Sequence, residues 1–373
     1  MTIGLSPLHQ LHADAGASFT DFAGWQMPVR YSSDLAEHHA VRTAAGLFDL
    51  SHMGEIVVVG PEAAAALDYA LSADLSAIVA GQAKYSLLLD EQGGILDDLV
   101  VYRTGSDRYL VVANASNREL VAEELRNRCS PFTCDVFDES DDIALIALQG
   151  PKSREILENL EQPLETPLGE LRYYRSAPAR FDGHEVLVAR TGYTGEDGFE
   201  LFLAPDAAAQ LWTAIREVGA GSGLLPAGLA SRDTLRLEAG MPLYGHELSS
   251  DVQPVQAGLA RAVALTKQTE FIGRAAVERG PDDGAPVLVG LTAEGRRAPR
   301  AGYPVLDGDG DGAGLIGTVT SGALSPTLGH PIAMAYVAPE FAGEGTRLAV
   351  DVRGTRIPAT VAARPFYSRK AAS

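Results

Sequence analysis

Two stretches of the chain repeat the same pattern: residues 56–61 are I-V-V-V-G-P, and residues 145–151 are L-I-A-L-Q-G-P. Each is an apolar run typical of a buried β-strand, and a helical pattern follows each one, at residues 62–70 and 152–160. Pro is favoured just inside the start of a helix, where its missing N–H would have no partner. The two Gly-Pro pairs lie 90 residues apart. The sequence therefore predicts a strand–helix unit that occurs twice.

The likeness continues downstream of both helices. The further matches are R-T-G at residues 103–105 and 190–192, a strand at 109–112 and 199–203, and a helix at 118–125 and 206–217. Chance similarity of two Gly-Pro helix starts is the alternative, but three matches in register favour duplication. Duplicated α+β units commonly pack together, and the cleft between them is a natural ligand site. We predict two related units at about residues 51–130 and 140–220.

The last part of the chain has a different pattern. A P-D-D-G-A-P linker at residues 281–286 precedes short β-type runs that turn residues separate. The runs are residues 287–291, 303–306, 316–321, 332–337, 346–352 and 357–363. Such a series predicts a small barrel or sandwich. We therefore expect one domain at residues 1–278, with the N-terminal segment and residues 221–278 completing its two units, and a second at residues 286–373.

Residues 93–102, G-G-I-L-D-D-L-V-V-Y, predict a strand that carries two adjacent acids. Alternate residues of a strand share a face, so Asp98 shares the face of Tyr102 and Asp97 lies on the other. A buried acid is costly unless it is paired, hydrogen-bonded or neutralised. The alternatives are an edge strand with both acids in water and a functional site, and this stretch alone favours neither.

A second acid of this kind occurs in the second copy. The loop and strand at residues 190–200, R-T-G-Y-T-G-E-D-G-F-E, place Glu200 on the same strand face as Phe202. The glycines lack the G-x-G-x-x-G spacing of a dinucleotide site, and no helix follows directly. Finding an acid within an apolar strand in both copies favours function over an edge strand.

A helix predicted from about Gly228 carries Arg232 and Arg236 on one face. Two interpretations stay open. The arginines pair within the helix, with Asp233 and Glu238, or a buried arginine binds a carboxylate-bearing ligand.

Composition excludes several classes of partner. The net charge of −19, from 30 basic and 49 acidic residues, argues against nucleic acid or an anionic membrane. The spacing of Cys129 and Cys134 does not match a metal site, so we expect reduced cysteines and no bound metal. No secretory signal and no apolar run of about 18 residues is found, which predicts a cytoplasmic protein without a membrane span.

Eight motifs, in order over nearly the whole chain, resemble those of the glycine cleavage T-protein family of tetrahydrofolate-dependent aminomethyltransferases. They are D-F-A-G-W (21–25), F-D-L-S-H-M-G (48–54), G-G-I-L-D-D-L-V-V-Y (93–102), A-L-Q-G-P (147–151), R-T-G-Y-T-G-E-D-G-F-E (190–200), A-S-R-D-T-L-R-L-E-A (230–239), T-S-G-A-L-S-P-T-L-G (320–329) and P-F-Y (365–367). The resemblance implies an α+β fold of duplicated, intertwined folate-binding units followed by a small C-terminal β-barrel.

The resemblance also implies a reaction. The aminomethyl group carried on the lipoyl arm of the H-protein is attacked by N5 of tetrahydrofolate. Ammonia, methylenetetrahydrofolate and dihydrolipoyl H-protein result. Tetrahydrofolate would thus be a co-substrate and lipoylated H-protein the partner, with no metal.

By the same resemblance, Asp98 is the catalytic carboxylate, which would stabilise the positive charge that develops during transfer. The residues that match folate-binding positions are Met53, Tyr85, Tyr102, Asn114, Tyr193, Glu200, Arg232 and Arg369. A carboxylate such as Glu200 can accept two parallel N–H bonds from a pterin edge. The family has its C-terminal arginine directly after P-F-Y, whereas here Ser368 stands before Arg369.

Three rival interpretations were weighed. A relative that acts on dimethylglycine or sarcosine would need an FAD-binding region upstream, for which 373 residues leave no room. A non-catalytic folate-binding relative linked to iron–sulfur assembly would carry a K-G-C-Y/F-x-G-Q-E-type motif, but residues 243–248 are L-Y-G-H-E-L. A generic α+β binding module would leave Asp98 and Glu200 unexplained.

Overall fold

The computed structural model describes residues 3–310 and 312–369, which form nineteen β-strands and eight α-helices. The strands are β1 Ser18–Phe22, β2 Trp25–Arg30, β3 Ala45–Asp49, β4 Gly54–Val59, β5 Gln82–Leu89, β6 Ile95–Arg103, β7 Arg108–Ala113, β8 Asp135–Asp138, β9 Ala144–Gln149, β10 Ser176–Phe181, β11 His184–Ala189, β12 Gly198–Leu203, β13 Leu224–Pro226, β14 Val287–Ala293, β15 Pro304–Leu306, β16 Leu315–Leu324, β17 Pro331–Val337, β18 Arg347–Val352 and β19 Thr355–Ala362. The helices are α1 His9–Asp14, α2 Asp34–Thr43, α3 Ala63–Ala70, α4 Arg118–Cys129, α5 Ser153–Glu158, α6 Pro205–Ala220, α7 Leu229–Glu238 and α8 Arg274–Arg279.

Two sheets have the same internal order. The first is β5-β6-β7-β4-β8, and the second is β10-β11-β12-β9-β3-β13. The four strands of one copy, β5-β6-β7-β4, thus match β10-β11-β12-β9 of the other. Along the chain, α3 follows β4 and α5 follows the matching strand β9. In the same way, α4 follows β7 and α6 follows β12. The predicted duplicated α+β fold is confirmed.

The two copies are intertwined through β3. This strand precedes the first copy in sequence, yet it pairs antiparallel with β9 of the second copy, with Phe48 opposite Ala147. It also pairs in parallel with β13, which follows the second copy. The chain segments before and after the repeat therefore complete the second sheet.

The two Gly-Pro turns explain the repeated motif physically. Gly60 and Gly150 have φ values of +144° and +136°, a region that residues with a Cβ rarely adopt. A Cβ at Gly60 would lie 2.6 Å from the backbone of Cys134, and one at Gly150 would lie 2.5 Å from the Ala44 carbonyl oxygen. Only glycine fits either position.

The prediction that each proline lies just inside the start of its helix is wrong, because both prolines lie before the helix begins. Pro61 and Pro151 precede the N-cap residues Glu62 and Lys152, which have turn conformations, and the helices begin one residue later. Each proline therefore stiffens the turn that leads into the helix rather than its first helical position.

The core of the second sheet lies between one sheet face and its helices. Leu148 and Phe199 of the sheet belong to the same buried cluster as Leu211, Trp212 and Ile215 of α6. These α6 residues recur at helical spacing, so one stripe of the helix covers the sheet. The opposite face of the sheet is free to carry Glu200.

The six predicted C-terminal strands form a closed barrel of order β14-β17-β16-β15-β18-β19. Its interior is filled by alternate apolar residues, among them Leu291, Val305, Ala335 and Val350. Closure leaves no unpaired strand edge, and this decides between the predicted barrel and the sandwich.

The described chain divides into two compact units. The first comprises residues 3–88, 97–232 and 266–271, and the second comprises the remaining described residues, including the barrel. The domain boundaries near residues 278 and 286 stay a sequence-based prediction. No helix in the described ranges is long and apolar enough to cross a membrane.

Candidate functional site

Asp98 lies on an interior strand of the first sheet. Because β6 lies between β5 and β7, the alternative of a solvated edge strand is wrong. The Asp98 carboxylate accepts hydrogen bonds from the Tyr85 hydroxyl (3.0 Å) and from Nδ2 of Asn114 (2.9 Å). Burial raises the pKa of Asp98 above its ordinary value, and both hydrogen bonds act in the opposite direction.

Strand register brings these partners together. Val100 is opposite Val112, so Asn114, which directly follows β7, lies level with Asp98. Gly54 is opposite Ala113, which places the half-buried Met53 beside Asn114 at the next position. Of the predicted ligand-binding residues, Tyr85 and Asn114 therefore contact Asp98, and Met53 lies next to Asn114 on the far side from β6.

Asp97 lies on the other face of β6 and is fully buried. Its carboxylate accepts N–H bonds from the Asn114 backbone (3.1 Å), from Asn114 Nδ2 (2.8 Å) and from Asn117 Nδ2 (2.8 Å). Sequence reasoning missed Asn117. The signal that was present is the A-N-A-S-N run after β7, since asparagine often binds neighbouring polar groups at strand and helix ends.

Glu200 forms a second polar cluster on β12. Its Oε2 accepts hydrogen bonds from the hydroxyls of Tyr102 (3.1 Å) and Thr191 (2.5 Å). The ring of Tyr102 also packs edge-on against Phe202, which confirms the predicted shared face of Glu200 and Phe202. Burial, followed by the charge of Glu200, raises the pKa of Tyr102 well above its ordinary value, so the phenol stays a donor.

The two acids do not occupy equivalent strands of the repeat. Glu200 lies on β12, which corresponds to β7, whereas Asp98 lies on β6, which corresponds to β11. The two acids are therefore not equivalent positions of the duplicated unit, although both lie within apolar strands. The contact between these strands is the bond from the Tyr102 hydroxyl of β6 to Glu200 of β12, which lies within the first unit.

Arg232 is the cation of the site. Its guanidinium carbon lies 4.9 Å from the centre of the Tyr193 ring, a cation–π contact. Burial lowers the pKa of Arg232, and the charge of Glu200 opposes this. Arg232 is half-buried, and its binding of a carboxylate-bearing ligand stays a prediction.

The glycine loop that carries Tyr193 is held from several sides. Nη1 of Arg42, on α2, donates to the Thr194 carbonyl oxygen (2.8 Å) and to Glu196 (3.0 Å). Both charged side chains of that ion pair are at least 95% buried. Gln149, at the end of β9, accepts from the Thr194 hydroxyl at 3.0 Å. These bonds fix the position of the loop that carries Tyr193. The sequence predicted a tight loop from its glycines but did not predict these contacts.

Tyr174 links the two clusters. After burial and Tyr173, the charges of Glu200 and Asp98 both raise its pKa. Because one phenol is influenced by both acids, they act on a common space within the first unit. Tyr174 stands just before β10 and was not predicted from the sequence.

Arg236 and Glu238, farther along α7, have structural roles in the second unit. Arg236 is buried and binds Asp233 (2.7 Å) and Glu247 (2.9 Å), while Glu238 accepts bonds from Ser325 and Thr327. The pairing of Arg236 with Asp233 confirms the first interpretation, pairing within the helix, for Arg236 alone. Arg369 is exposed and also belongs to the second unit, and its folate role stays a prediction.

Two other kinds of site, a metal centre and a second cavity, are considered from the described residues. Residues 3–310 and 312–369 contain no group of three or more His, Cys, Asp or Glu side chains arranged to hold a metal ion. A cavity of about 690 Å³ lies between the two sheets, lined by Val57, Leu110, Val186 and Phe202, among others. Its rim charges, Arg108 and Glu139, pair with each other at 2.9 Å.

Known proteins share both parts of the chain. The family model for the GCVT N-terminal domain matches residues 8–267, and that for the glycine cleavage T-protein C-terminal barrel domain matches residues 287–368. An aminomethyltransferase of Cutibacterium acnes is 56% identical, with 99% of each chain covered. One from Saccharopolyspora erythraea is 55% identical, with 98% of each covered. The crystal structure of glycine cleavage system aminomethyltransferase T from Bartonella henselae superposes with a TM-score of 0.89 at 38% identity, covering 98% of each chain.

Proposed function

Because this chain belongs to the glycine cleavage T-protein family, we propose that it transfers the methylene of S-aminomethyl-dihydrolipoyl H-protein to tetrahydrofolate. The chain is an aminomethyltransferase, and the proposal concerns its carrier and its acceptor. In the reaction the carbon–sulfur bond and the bond from the carbon to its amine break, and the carbon becomes bonded to N5 and N10 of the folate. The two protons that N5 and N10 lose complete the thiol of the lipoyl arm and the ammonia that leaves. The products are methylenetetrahydrofolate and dihydrolipoyl H-protein, and the cytoplasm is the proposed location.

One observation carries the role of Asp98: its carboxylate is positioned but not neutralised. Tyr85 and Asn114 hold one oxygen each, and no Lys, Arg or His of the described ranges forms an ion pair with it. In a buried site such a charge is available to a cation that develops on the ligand. The Asp98 carboxylate therefore stabilises the positive charge that forms as the methylene moves from sulfur to nitrogen.

The second cluster supplies the folate contacts. Glu200 keeps one carboxylate oxygen, Oε1, outside its bonds to Tyr102 and Thr191, and that oxygen can accept an N–H of a pterin. Arg232 supplies a positive charge beside the Tyr193 ring, and the ring offers a face for stacking. Met53, Tyr85, Tyr102 and Asn114 line the same space, and Arg369 is assigned the family's C-terminal arginine role.

The test is methylenetetrahydrofolate formation from purified aminomethylated H-protein, with Asp98→Asn compared with the wild type. The amide keeps the size of the carboxylate but removes its charge, so we expect kcat to fall about 100-fold or more. Asp107→Asn is the matched control, since Asp107 is an exposed acid in the turn after β6. Transfer by Asp98→Asn at the control's rate would refute the role. Ammonia release that does not depend on tetrahydrofolate would refute the acceptor.

A further inference from the structure

The Asp97 carboxyl group is linked to Asp98 through the side-chain amide of Asn114, which donates to both. It is fully buried on the face of β6 opposite Asp98, and it accepts hydrogen bonds from three N–H groups, all of Asn114 and Asn117. No Lys, Arg or His within residues 3–310 and 312–369 forms an ion pair with it. A buried acid without a cation is costly, and packing alone does not account for it.

The Asn114 amide has only one orientation that satisfies both neighbours. Its Nδ2 lies 2.8 Å from Asp97 Oδ1, 2.9 Å from Asp98 Oδ1 and 3.2 Å from the Asp98 carbonyl oxygen, and all three are acceptors. An amide NH2 has two hydrogens, one for Asp97 and one for the two oxygens of Asp98, whereas the amide oxygen has none. If Asp97 were absent, the amide could turn and present its oxygen to Asp98. Asp97 therefore determines which end of Asn114 faces Asp98.

On the basis of the function proposed above for Asp98, we propose that Asp97 is a positioning residue that orients the Asn114 amide and shares a single proton with Asp98. The two carboxyl groups are neighbours along the chain and are joined through one amide nitrogen. Without a cation, two such groups do not both ionise readily, because like charges in a buried site repel strongly.

The energetics of the pair support one shared proton. Burial, followed by the charge of Asp98, raises the pKa of Asp97 to about 7, and burial also raises the pKa of Asp98. Asp97 accepts three N–H bonds, which favour its charged form. Asp98 in turn accepts hydrogen bonds from Tyr85 and Asn114, which favour its own charged form. The pair therefore carries one proton between its two members, and the Asp98 carboxylate is charged when that proton lies on Asp97.

The titratable groups around the pair are phenols and one further carboxyl group, Glu55. Val112 lies opposite both Val100 and Glu55, so Glu55 is on the Asp98 face of the sheet, and burial raises its pKa well above the ordinary value. Tyr85 faces Asp98 from β5, and Tyr174 and Tyr193 lie beside Tyr85. Burial raises the pKa of Tyr85 and of Tyr174, so these two stay neutral near pH 7. The nearest charges beyond them, Glu200 and Arg232, influence each other. Glu55 is the same in the wild type and in Asp97→Asn, so a difference between their Asp98 titrations reports the carboxyl pair.

Two substitutions separate charge from hydrogen bonding. Asp97→Asn keeps an oxygen for Nδ2 of Asn114 and of Asn117 but removes the charge, whereas Asp97→Ala removes both. Asp138→Asn is the matched control. Asp138 lies on β8 of the same sheet and also has three hydrogen-bonding donor groups, on Arg118 and Ser140, but it pairs with a cation.

The first measurement needs no reaction. Carbon-13 NMR of aspartate-labelled protein follows the Asp98 carboxyl group with pH, assigned by its loss in Asp98→Asn. In the wild type we expect two titration steps. In Asp97→Asn we expect one step, at a pH about one unit or more below the upper wild-type step. Asp138→Asn should match the wild type. A single unshifted step in the wild type overturns the proposal even if neither Asp97 variant folds.

The second measurement is the pH profile of kcat for aminomethyl transfer. In Asp97→Asn the acidic limb should move to lower pH in step with the NMR titration, with little change in KM for tetrahydrofolate. In Asp97→Ala the freed amide should lower kcat by roughly 100-fold, because misplaced catalytic groups cost that much. A shifted NMR titration with an unshifted kcat profile refutes the positioning role. If neither the wild type nor any variant transfers the methylene to tetrahydrofolate, the proposed function is wrong. The shared proton is then still supported by the NMR titration, which needs no reaction.

Discussion

At the scale of single residues, the site joins side chains that are far apart in sequence through hydroxyl and amide groups. Tyr102 and Glu200 are 98 positions apart and are bonded at 3.1 Å. Within residues 3–310 and 312–369 Glu200 forms no ion pair with an arginine or lysine, and its hydrogen-bond donors are two hydroxyl groups. Because both hydroxyls bond the same oxygen, Oε2, the other carboxylate oxygen can accept a hydrogen bond from a ligand.

Glu200→Gln tests this arrangement. The amide keeps one acceptor, but its NH2 group faces the hydroxyls of Tyr102 and Thr191, and the charge is lost. A hydrogen bond to a charged group contributes about 1.5–3 kcal/mol, so we expect the Kd for tetrahydrofolate to rise about tenfold or more. Isothermal titration calorimetry measures it. Glu185→Gln, at an exposed acid of β11, should leave the Kd unchanged, and equal Kd values for both variants would remove Glu200 from folate binding.

At the scale of elements, the end of α3 is held by one lysine. Nζ of Lys267 donates to the carbonyl oxygens of Asp68 (2.6 Å), Leu71 (2.7 Å) and Ala73 (2.9 Å), and lies 4.6 Å from the centre of the Phe271 ring. All three ammonium hydrogens are used. This contact ties residues 266–271 to the first unit, although the residues on both sides of that segment belong to the second unit.

Lys267→Met should therefore destabilise the first unit. Methionine fills similar space, but the three carbonyl groups lose their donor. Since each unmet buried group costs about 1–3 kcal/mol and some gain water, we expect the free energy of unfolding to fall by about 2–4 kcal/mol. Urea denaturation measures it. Lys84→Met, which removes a bond to one carbonyl, that of Asp74, should cost less than about 1.5 kcal/mol. An equal loss in both variants would contradict the role of the three carbonyls.

At the scale of the whole molecule, buried ionisable groups make stability depend on pH in opposite directions. Burial lowers the pKa of His52 to about 4, and it raises the pKa of Glu37 and Glu55 above their ordinary values. The unfolded chain protonates His52 near pH 6.5, whereas the folded protein resists protonation until about pH 4. Stability from His52 is therefore present above pH 6.5 and is lost as pH falls towards 4. The two glutamates oppose it by binding protons in the folded state.

His52→Gln isolates the histidine contribution. The difference between wild-type and variant free energies of unfolding should shrink by about 3 kcal/mol as pH falls from 7.5 to 4, because the glutamate contributions cancel. Urea denaturation at several pH values measures it. His39→Gln, at an exposed position of α2, should give a curve parallel to the wild type. A parallel curve for His52→Gln would show that the buried imidazole does not titrate as stated.

Local patterns predicted the parts of this structure that depend on neighbours along the chain. The Gly-Pro repeat predicted the duplication, because only glycine fits at Gly60 and Gly150. Alternation placed Asp98 and Tyr102 on one face, and turn residues separated the six barrel strands. The motifs also identified the family, since several short patterns must occur in order. These features are set by residues close to one another in sequence.

Tertiary structure alone decided which of these residues meet. The pairing of Asn114 and Asn117 with Asp97 depends on the register between β6 and β7, and a shift of one residue would move Asn114 away from both acids. The different roles of Arg232 and Arg236 depend on what packs against α7, although both lie on one helical face. Glu200 reaches Tyr102 only because two separate sheets pack in one unit. Sequence spacing carries no measure of such distances, because register and packing are set by the whole chain.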